Sequence, residues 1–396
     1  MRGRTVAAAL AAAGVLFTAG CSSSDGAEEG RWSPVSAGPS GSSPPSATGP
    51  SATGPSASPA GKGPPAKGSA EVVRTVTDSL KAPWGLAPLP GGDLLVSLRD
   101  DGKLVRVDTG SGKKTEVGTV PGVAAAGEGG LLGIAVSPRF ASDHFVYAYL
   151  TTESDNRIAR LLYDERKPAG QQLGAPNTVL RGIPKGTVHN GGRIAFGPDG
   201  MLYAGTGETG ERGLAQDRKS LAGKILRMTP EGRPAEGNPD PGSLVWSWGH
   251  RNVQGLAWDA DNRLWASEFG QDTWDELNLI EPGGNYGWPK AEGRAGGKDF
   301  VDPVAQWRTS QSSPSGIAWA GGSVWMAGLR GEALWRVPLK GTKEAADPQP
   351  FLKGKYGRLR AAVAAGGDRL WVLTNETDSR GTPQKGDDRI LEVRVR

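Results

Sequence analysis

The stretch Trp248–Trp288 carries the densest set of groups able to do chemistry. It opens on a cation and an amide, Arg251 and Asn252, and continues through Glu268, Asp275 and Glu276 to Asn285-Tyr286-Gly287-Trp288. Few carboxylates spread along a loop rich in main-chain carbonyls suit a hard divalent cation such as Ca²⁺. A guanidinium beside them suits an anion. Together they are what an anionic cofactor chelating a metal would require.

Three histidines are present. His144 falls in a turn between strands, and His250 stands next to Arg251, where it can support that residue. His189 opens His189-Asn190-Gly191-Gly192-Arg193, whose glycines let backbone or ligand come close. Two readings stand for it: a structural turn residue, or a general base, since imidazole exchanges a proton near neutral pH. Arg358-Leu359-Arg360 opens a strand, so alternation puts both guanidiniums on one face. They either share an anion or form a solvated edge. Arg330, in Gly328-Leu329-Arg330-Gly331, occupies the matching end of the preceding repeat unit. Arg251, Arg330, Arg358 and Arg360 would then ring one end of an axis and call for a multiply anionic ligand.

Several chemistries lack their residues. Gly205-Thr-Gly-Glu-Thr-Gly210 fits G-x-G-x-x-G, but hairpins surround it and no βαβ unit follows, so nucleotide binding is not expected. Neither a G-x-S-x-G elbow nor a paired-His zinc motif occurs. Asn375-Glu376-Thr377 fits a glycosylation sequon and is read as incidental.

These groups need a scaffold, and internal repetition supplies one. A small residue, an alternating apolar strand, a Gly/Asp turn and a second strand recur six times. The copies begin at Trp84, Leu132, Gly192, Gly255, Ser315 and Ala362, and most are trailed by a third strand such as Lys103-Leu-Val-Arg-Val. Strand-only units of roughly 45 to 60 residues mean a propeller or an array, and hairpin-linked units favour an all-β, six-bladed β-propeller. The early strand Glu71–Val76 is expected to pair near Arg389–Val395 and close the ring. The 61 Gly and 30 Pro agree with many tight turns.

The chain's start reads as delivery. Residues 1–20 have a charged beginning, a short apolar run and Ala19-Gly20 before Cys21, the pattern of a signal peptide. Cys21 is the single cysteine, so no disulfide is possible. Its context resembles a bacterial lipobox, which implies lipidation at Cys21 and an exported protein anchored to the outer face of the cell membrane by lipid alone. Residues 21–70 are a Ser/Gly/Pro/Ala linker too poor in apolar residues to fold. Residues 71–396 form the propeller. The net charge of +4 is small and its cations are scattered, so nucleic acid is not an expected partner.

From about Ala82 onward the chain resembles the soluble pyrroloquinoline quinone (PQQ)-dependent aldose dehydrogenases, the glucose/sorbosone dehydrogenase family. The resemblance rests on Gly127-Glu-Gly-Gly-Leu-Leu-Gly133, His189-Asn-Gly-Gly-Arg193, Gly249-His-Arg-Asn-Val-Gln-Gly-Leu256, Asp275-Glu-Leu-Asn278, Asn285-Tyr-Gly-Trp-Pro289 and Arg358-Leu-Arg360. It implies a six-bladed propeller with PQQ and Ca²⁺ at one end of the axis, oxidising the anomeric hydroxyl of an aldose to a lactone and passing electrons to an acceptor the sequence does not name. His189 would be the general base, with Arg251 and Asn252 at the reactive quinone oxygens. Arg330, Arg358 and Arg360 would hold the cofactor carboxylates, with a polar contact from Glu128. Ca²⁺ would take main-chain oxygens of Gly270 and Gln271, with Asp275, Glu276 and Tyr286 close by.

Four positions depart from the family's habit. Gln271 stands for a frequent Pro, Phe269 for a polar residue, Glu208 for an Asp beside the substrate, and Ala361 for an Asp that would orient Arg360. Two other functions compete: a non-catalytic sugar- or protein-binding propeller, and a Ca²⁺-dependent lactonase-type hydrolase. The latter needs converging Asn, Asp and Glu side chains where this chain supplies Arg.

Overall fold

The computed structural model describes residues 64–396, and in it each copy of the repeat becomes one antiparallel sheet. The first sheet is built from Pro83–Pro88, Leu94–Leu98, Lys103–Val107 and Lys114–Thr119. The next four open with Leu131–Val136, Ile194–Phe196, Val253–Trp258 and Pro314–Ala320, and the sixth with Leu359–Gly366. Each opening strand packs against that of the next sheet, and the sixth returns to the first. The result is the expected six-bladed β-propeller.

Local chemistry explains the hairpins. In the fourth blade Asp259 accepts N–H bonds from Asp261 and Arg263 at 2.9 and 3.0 Å. Its other oxygen takes Arg263 Nε at 2.7 Å and Trp265 Nε1 at 2.9 Å. One carboxylate thus folds the turn and fastens the strand that leaves it. Between blades, apolar residues from facing sheets form the core. Leu95, Leu104 and Val117 of the first blade meet Leu131, Ile134, Val146 and Leu161 of the second, an arrangement driven by loss of water-exposed apolar area.

Closure follows the sequence reading and extends it. Ala70–Thr77 pairs antiparallel with Ile390–Val395, with Val72 opposite Val393, which removes the open edge a linear array would leave. The expected linker, however, is held before its boundary at residue 70. Arg336, fully buried, donates from Nη2 to the Pro65 carbonyl at 2.8 Å. Gly68 N–H donates to Gln349 Oε1 at 2.9 Å, and Ser69 exchanges two 3.0 Å main-chain bonds with Arg396. A buried guanidinium needs acceptors, and these small residues supply one, which composition does not reveal. The signal peptide, Cys21 and the linker up to residue 63 lie outside the described residues.

All six opening strands begin at the same end of the axis. Their first residues and the loops before them surround one cavity. Their last residues, including Ala87, Ala135, Ala195, Ala257 and Ala318, line a second, apolar one.

Candidate active site

The cavity at the strand starts encloses about 410 Å³ and collects residues from all around the ring. His189, Glu128, Arg251, Asn252, Gly270, Arg330, Arg358 and Arg360 line it together. The sequence placed these residues at one end of an axis, and there they are. Phe269 and Leu329 also line it, and Trp84, Arg99, Gln254, Ser313, Asp378 and Arg380, which were not anticipated, complete the wall. Six arginines against two acids, Glu128 and Asp378, leave the lining strongly cationic.

His189 is held on every side but one. Its φ of 52° is unusual for a residue with a side chain. Glu128 Oε2 accepts its N–H at 2.7 Å, while Arg380 reaches the other Glu128 oxygen at 2.7 Å. Asn252 Oδ1 accepts the Gly191 N–H at 2.9 Å, which ties the same turn to the next blade. The ring's Nδ1 is hydrogen-bonded to Glu208 Oε1. A carboxylate there fixes the Nδ1–H tautomer and leaves Nε2 as the basic nitrogen. Expected beside the substrate, Glu208 lies behind the imidazole at 1 % exposure and outside the cavity wall.

The glycine-rich decoy also has its explanation. A Cβ on Gly207 would collide with the His189 carbonyl, so Gly205–Gly210 lets the histidine turn approach rather than cradling a phosphate. Because the collision is with backbone, Gly207→Ala is expected to lower stability by about 2–4 kcal/mol and to displace His189. Thermal unfolding and turnover measured on the same variant check this.

Arg251 is carried by a buried chain of polar groups. His250 is fully buried, with Nε2 2.8 Å from Ser247 Oγ and Nδ1 2.7 Å from Glu268 Oε2. The other Glu268 oxygen accepts the Arg251 N–H, and Tyr286 stacks on His250 with 4.6 Å between ring centroids. The Arg251 guanidinium sits 5.4 Å over the Trp288 ring and makes one long 3.4 Å contact to the Phe269 carbonyl. Its Nε is buried without a partner, and burial lowers its pKa against the opposing pull of Glu208 and Glu268. An unpaired buried donor is costly unless a ligand oxygen meets it.

Arg358 and Arg360 do share a face and an anion, but that anion is Asp378. Its Oδ2 accepts from both guanidiniums, at 3.1 and 3.0 Å. Arg360 also donates to Gln254 Oε1 at 2.8 Å and to Asn375 Oδ1 at 2.9 and 2.7 Å. Burial takes its pKa down to about 10. The partner that Ala361 lacks therefore comes from the next strand's loop. Asn375 of the sequon is 1 % exposed and spent on this network. Arg330 is exposed and, among the described residues, makes no ion pair.

Of the residues expected around a metal, only Gly270 lines the cavity. Asp275 spends its two oxygens on the N–H groups of Gly270 and Ser313, at 2.9 and 2.6 Å, and burial raises its carboxyl to about 7. Glu276 accepts from Gly293 N at 2.7 Å and Asn278 Nδ2 at 3.0 Å. Burial and the neighbouring Glu268 raise its carboxyl to about 8. Tyr286 donates its hydroxyl to the Leu279 carbonyl at 2.6 Å. These three side chains brace the loop. Among the described residues no three His, Cys, Asp or Glu side chains converge as a metal site, and the carbonyls of Gly270 and Gln271 accept no hydrogen bond. Backbone oxygens beside a cationic, donor-rich wall fit a hard cation bound jointly with a polyanion, not a carboxylate cage.

Known proteins resemble this chain over most of its length. The profile of the glucose/sorbosone dehydrogenase family matches residues 80–382. The PQQ-bound structure of an aldose sugar dehydrogenase from Streptomyces coelicolor is 71% identical, with a TM-score of 0.84, covering 84% of this chain and 100% of that one. Aldose sugar dehydrogenase YliI of Escherichia coli is 30% identical over 337 residues, 77% of this chain and 90% of its own. Quinoprotein glucose dehydrogenase B of Acinetobacter calcoaceticus is 31% identical over 254 residues, 56% of this chain and 52% of its own.

Proposed function

This chain belongs to the glucose/sorbosone dehydrogenase family, and from that premise we propose that its cationic cavity binds PQQ and oxidises sugars. More narrowly, the substrate is an aldose, the bond oxidised is at the anomeric carbon, and the product is the lactone. The observation that carries this reading is the single imidazole, backed by Glu208, facing a wall of arginines in one cavity.

When bound, the quinone supplies the hydride-accepting chemistry, which no side chain can provide. His189 Nε2 takes the proton of the anomeric hydroxyl, and Glu208 stabilises the resulting imidazolium through Nδ1. Arg251, its Nε unpaired, places positive charge where negative charge develops on hydride loss from the sugar. Asn252 is already committed through Oδ1 to Gly191, so it offers its amide N–H groups. Arg330, Arg358 and Arg360 hold anionic groups of the cofactor. A Ca²⁺ ion on the carbonyls of Gly270 and Gln271 would add a fixed charge on the same side.

The test is direct. Full-length chain, PQQ, CaCl₂ and a redox dye are mixed with a panel of aldoses, and dye reduction and lactone are measured. Binding of PQQ without turnover would favour a non-catalytic propeller. Lactone cleavage without PQQ would favour the hydrolase. We further propose that the protein is exported and lipid-anchored at Cys21. Cys21→Ser is then expected to move it from the membrane fraction to the soluble one with its activity intact; an unchanged distribution would rule the anchor out.

A further inference from the structure

Four consecutive main-chain N–H groups converge on one oxygen in the loop after the fourth blade's second strand. Gln271, Asp272, Thr273 and Trp274 donate to Glu292 Oε1 at 2.8, 3.1, 2.9 and 3.0 Å. Such a run of amides is an anion nest, and here the anion belongs to the protein itself. The next residue is fixed as well, because Gly293 N–H donates to Glu276 Oε1 at 2.7 Å.

In a planar trans peptide the C=O points opposite to the N–H. Drawing the N–H groups of residues 271–274 to one side therefore turns the carbonyls of Gly270, Gln271, Asp272 and Thr273 to the other. The loop is closed tightly enough that a Cβ at Gly270 would collide with the Trp274 carbonyl and the Glu292 carboxylate. Asp275 ties the Gly270 N–H to Ser313 of the fifth blade, so the loop is fixed to the scaffold at both its start and its middle. A flexible loop would have to order four peptide groups on binding a cation, and this one has done so beforehand.

We propose that Glu292 is a positioning residue whose carboxylate gathers these N–H groups and so presents the carbonyls of Gly270 and Gln271 as a hard-cation site at the cavity wall. The inference rests on the reading that the cavity takes a cation together with PQQ. Glu292 does not ligate the ion. It sets the direction of the oxygens that do, and its charge adds attraction from behind the loop.

The measurement is Ca²⁺ affinity of the metal-stripped full-length chain by calorimetry, with and without PQQ. Glu292→Ala is expected to weaken Ca²⁺ binding about tenfold or more, with turnover recovered at saturating Ca²⁺. Glu292→Gln keeps an acceptor oxygen without the charge and is expected to fall between, about threefold weaker. Asp302→Ala is the control: Asp302 accepts N–H bonds from Ala295 and Gly296 within the later connection that carries Glu292, and its loss is expected to leave Ca²⁺ affinity unchanged. Wild-type affinity in Glu292→Ala, or equal weakening in Asp302→Ala, would overturn the proposal. If Glu292→Ala does not fold, unchanged affinity in Glu292→Gln overturns it instead. A metal-stripped wild-type chain that binds no Ca²⁺ and oxidises sugar with PQQ at full rate would sink the cation site yet leave sugar oxidation standing. Ca²⁺ binding that depends on Glu292 in a chain that never binds PQQ would do the reverse.

Discussion

Replacing His189 by alanine is expected to lower kcat by about a thousandfold or more, the upper part of the range for losing a general base, while PQQ affinity stays within about twofold. The split follows from the geometry. The imidazole lines the cavity through one free nitrogen, whereas the cationic groups that bind an anion come from other strands. Glu208→Gln separates the two functions of the pair. The amide can still accept or donate at Nδ1, but it cannot offset the charge of an imidazolium from a position only 1% exposed, so kcat is expected to fall about ten- to a hundredfold. Added imidazole should restore part of the His189→Ala activity if only proton transfer is missing. Full activity in His189→Ala would remove this residue from the chemistry and with it the proposed mechanism. A parallel loss of PQQ affinity would instead mean that the histidine turn holds the cofactor.

The second large effect is expected at Arg358. Its side chain is 12% exposed and is shared with Arg360 through Asp378, so truncation leaves that carboxylate paired once rather than bare. Arg358→Ala should therefore weaken PQQ binding by about 2–3 kcal/mol, the scale for losing one partner of a charge-assisted pair, or roughly thirty- to a hundred-and-fiftyfold. Stability should barely change. Arg360→Ala differs in kind. That guanidinium is buried, joins Gln254, Asn375 and Asp378, and lies 5.7 Å over the Trp84 ring. Its removal leaves several buried acceptors unmet and should lower both PQQ affinity and melting temperature. Quenching of tryptophan fluorescence by PQQ and a thermal melt on each variant distinguish them. If Arg358→Ala binds PQQ as tightly as the wild type, the arginines are structural and the ligand is held elsewhere.

Two of the four departures from the family's habit are compensated through space. Ala361 removed a neighbour that could have oriented Arg360, and Asp378 arrives from 18 residues away to do it. Gln271 withheld a rigid ring from the loop, and Glu292 fixes the same peptides by hydrogen bonds. In both cases the substitute lies in a loop whose position depends on how blades pack, so no local pattern could disclose it. Glu208 was misplaced for a related reason. The resemblance implied a place beside the substrate, but only the fold decided that it faces the back of His189 rather than the cavity.

By itself the sequence determined the ring and its closure, because strand periodicity, turn residues and a six-fold repeat are local and must each satisfy the same backbone. It also determined which end carries chemistry, since His189, Arg251 and Arg358 all precede or begin an opening strand, and such strands start on one side of a propeller. The tertiary structure decided which carboxylates are free. Asp275, Glu276 and Glu292 look alike as letters, yet each accepts at least one backbone N–H from a segment 17 or more residues away: Ser313, Gly293 and the run 271–274. Hydrogen-bond satisfaction in a buried site is settled by which chain segments meet, and that is a property of the closed ring rather than of any stretch within it.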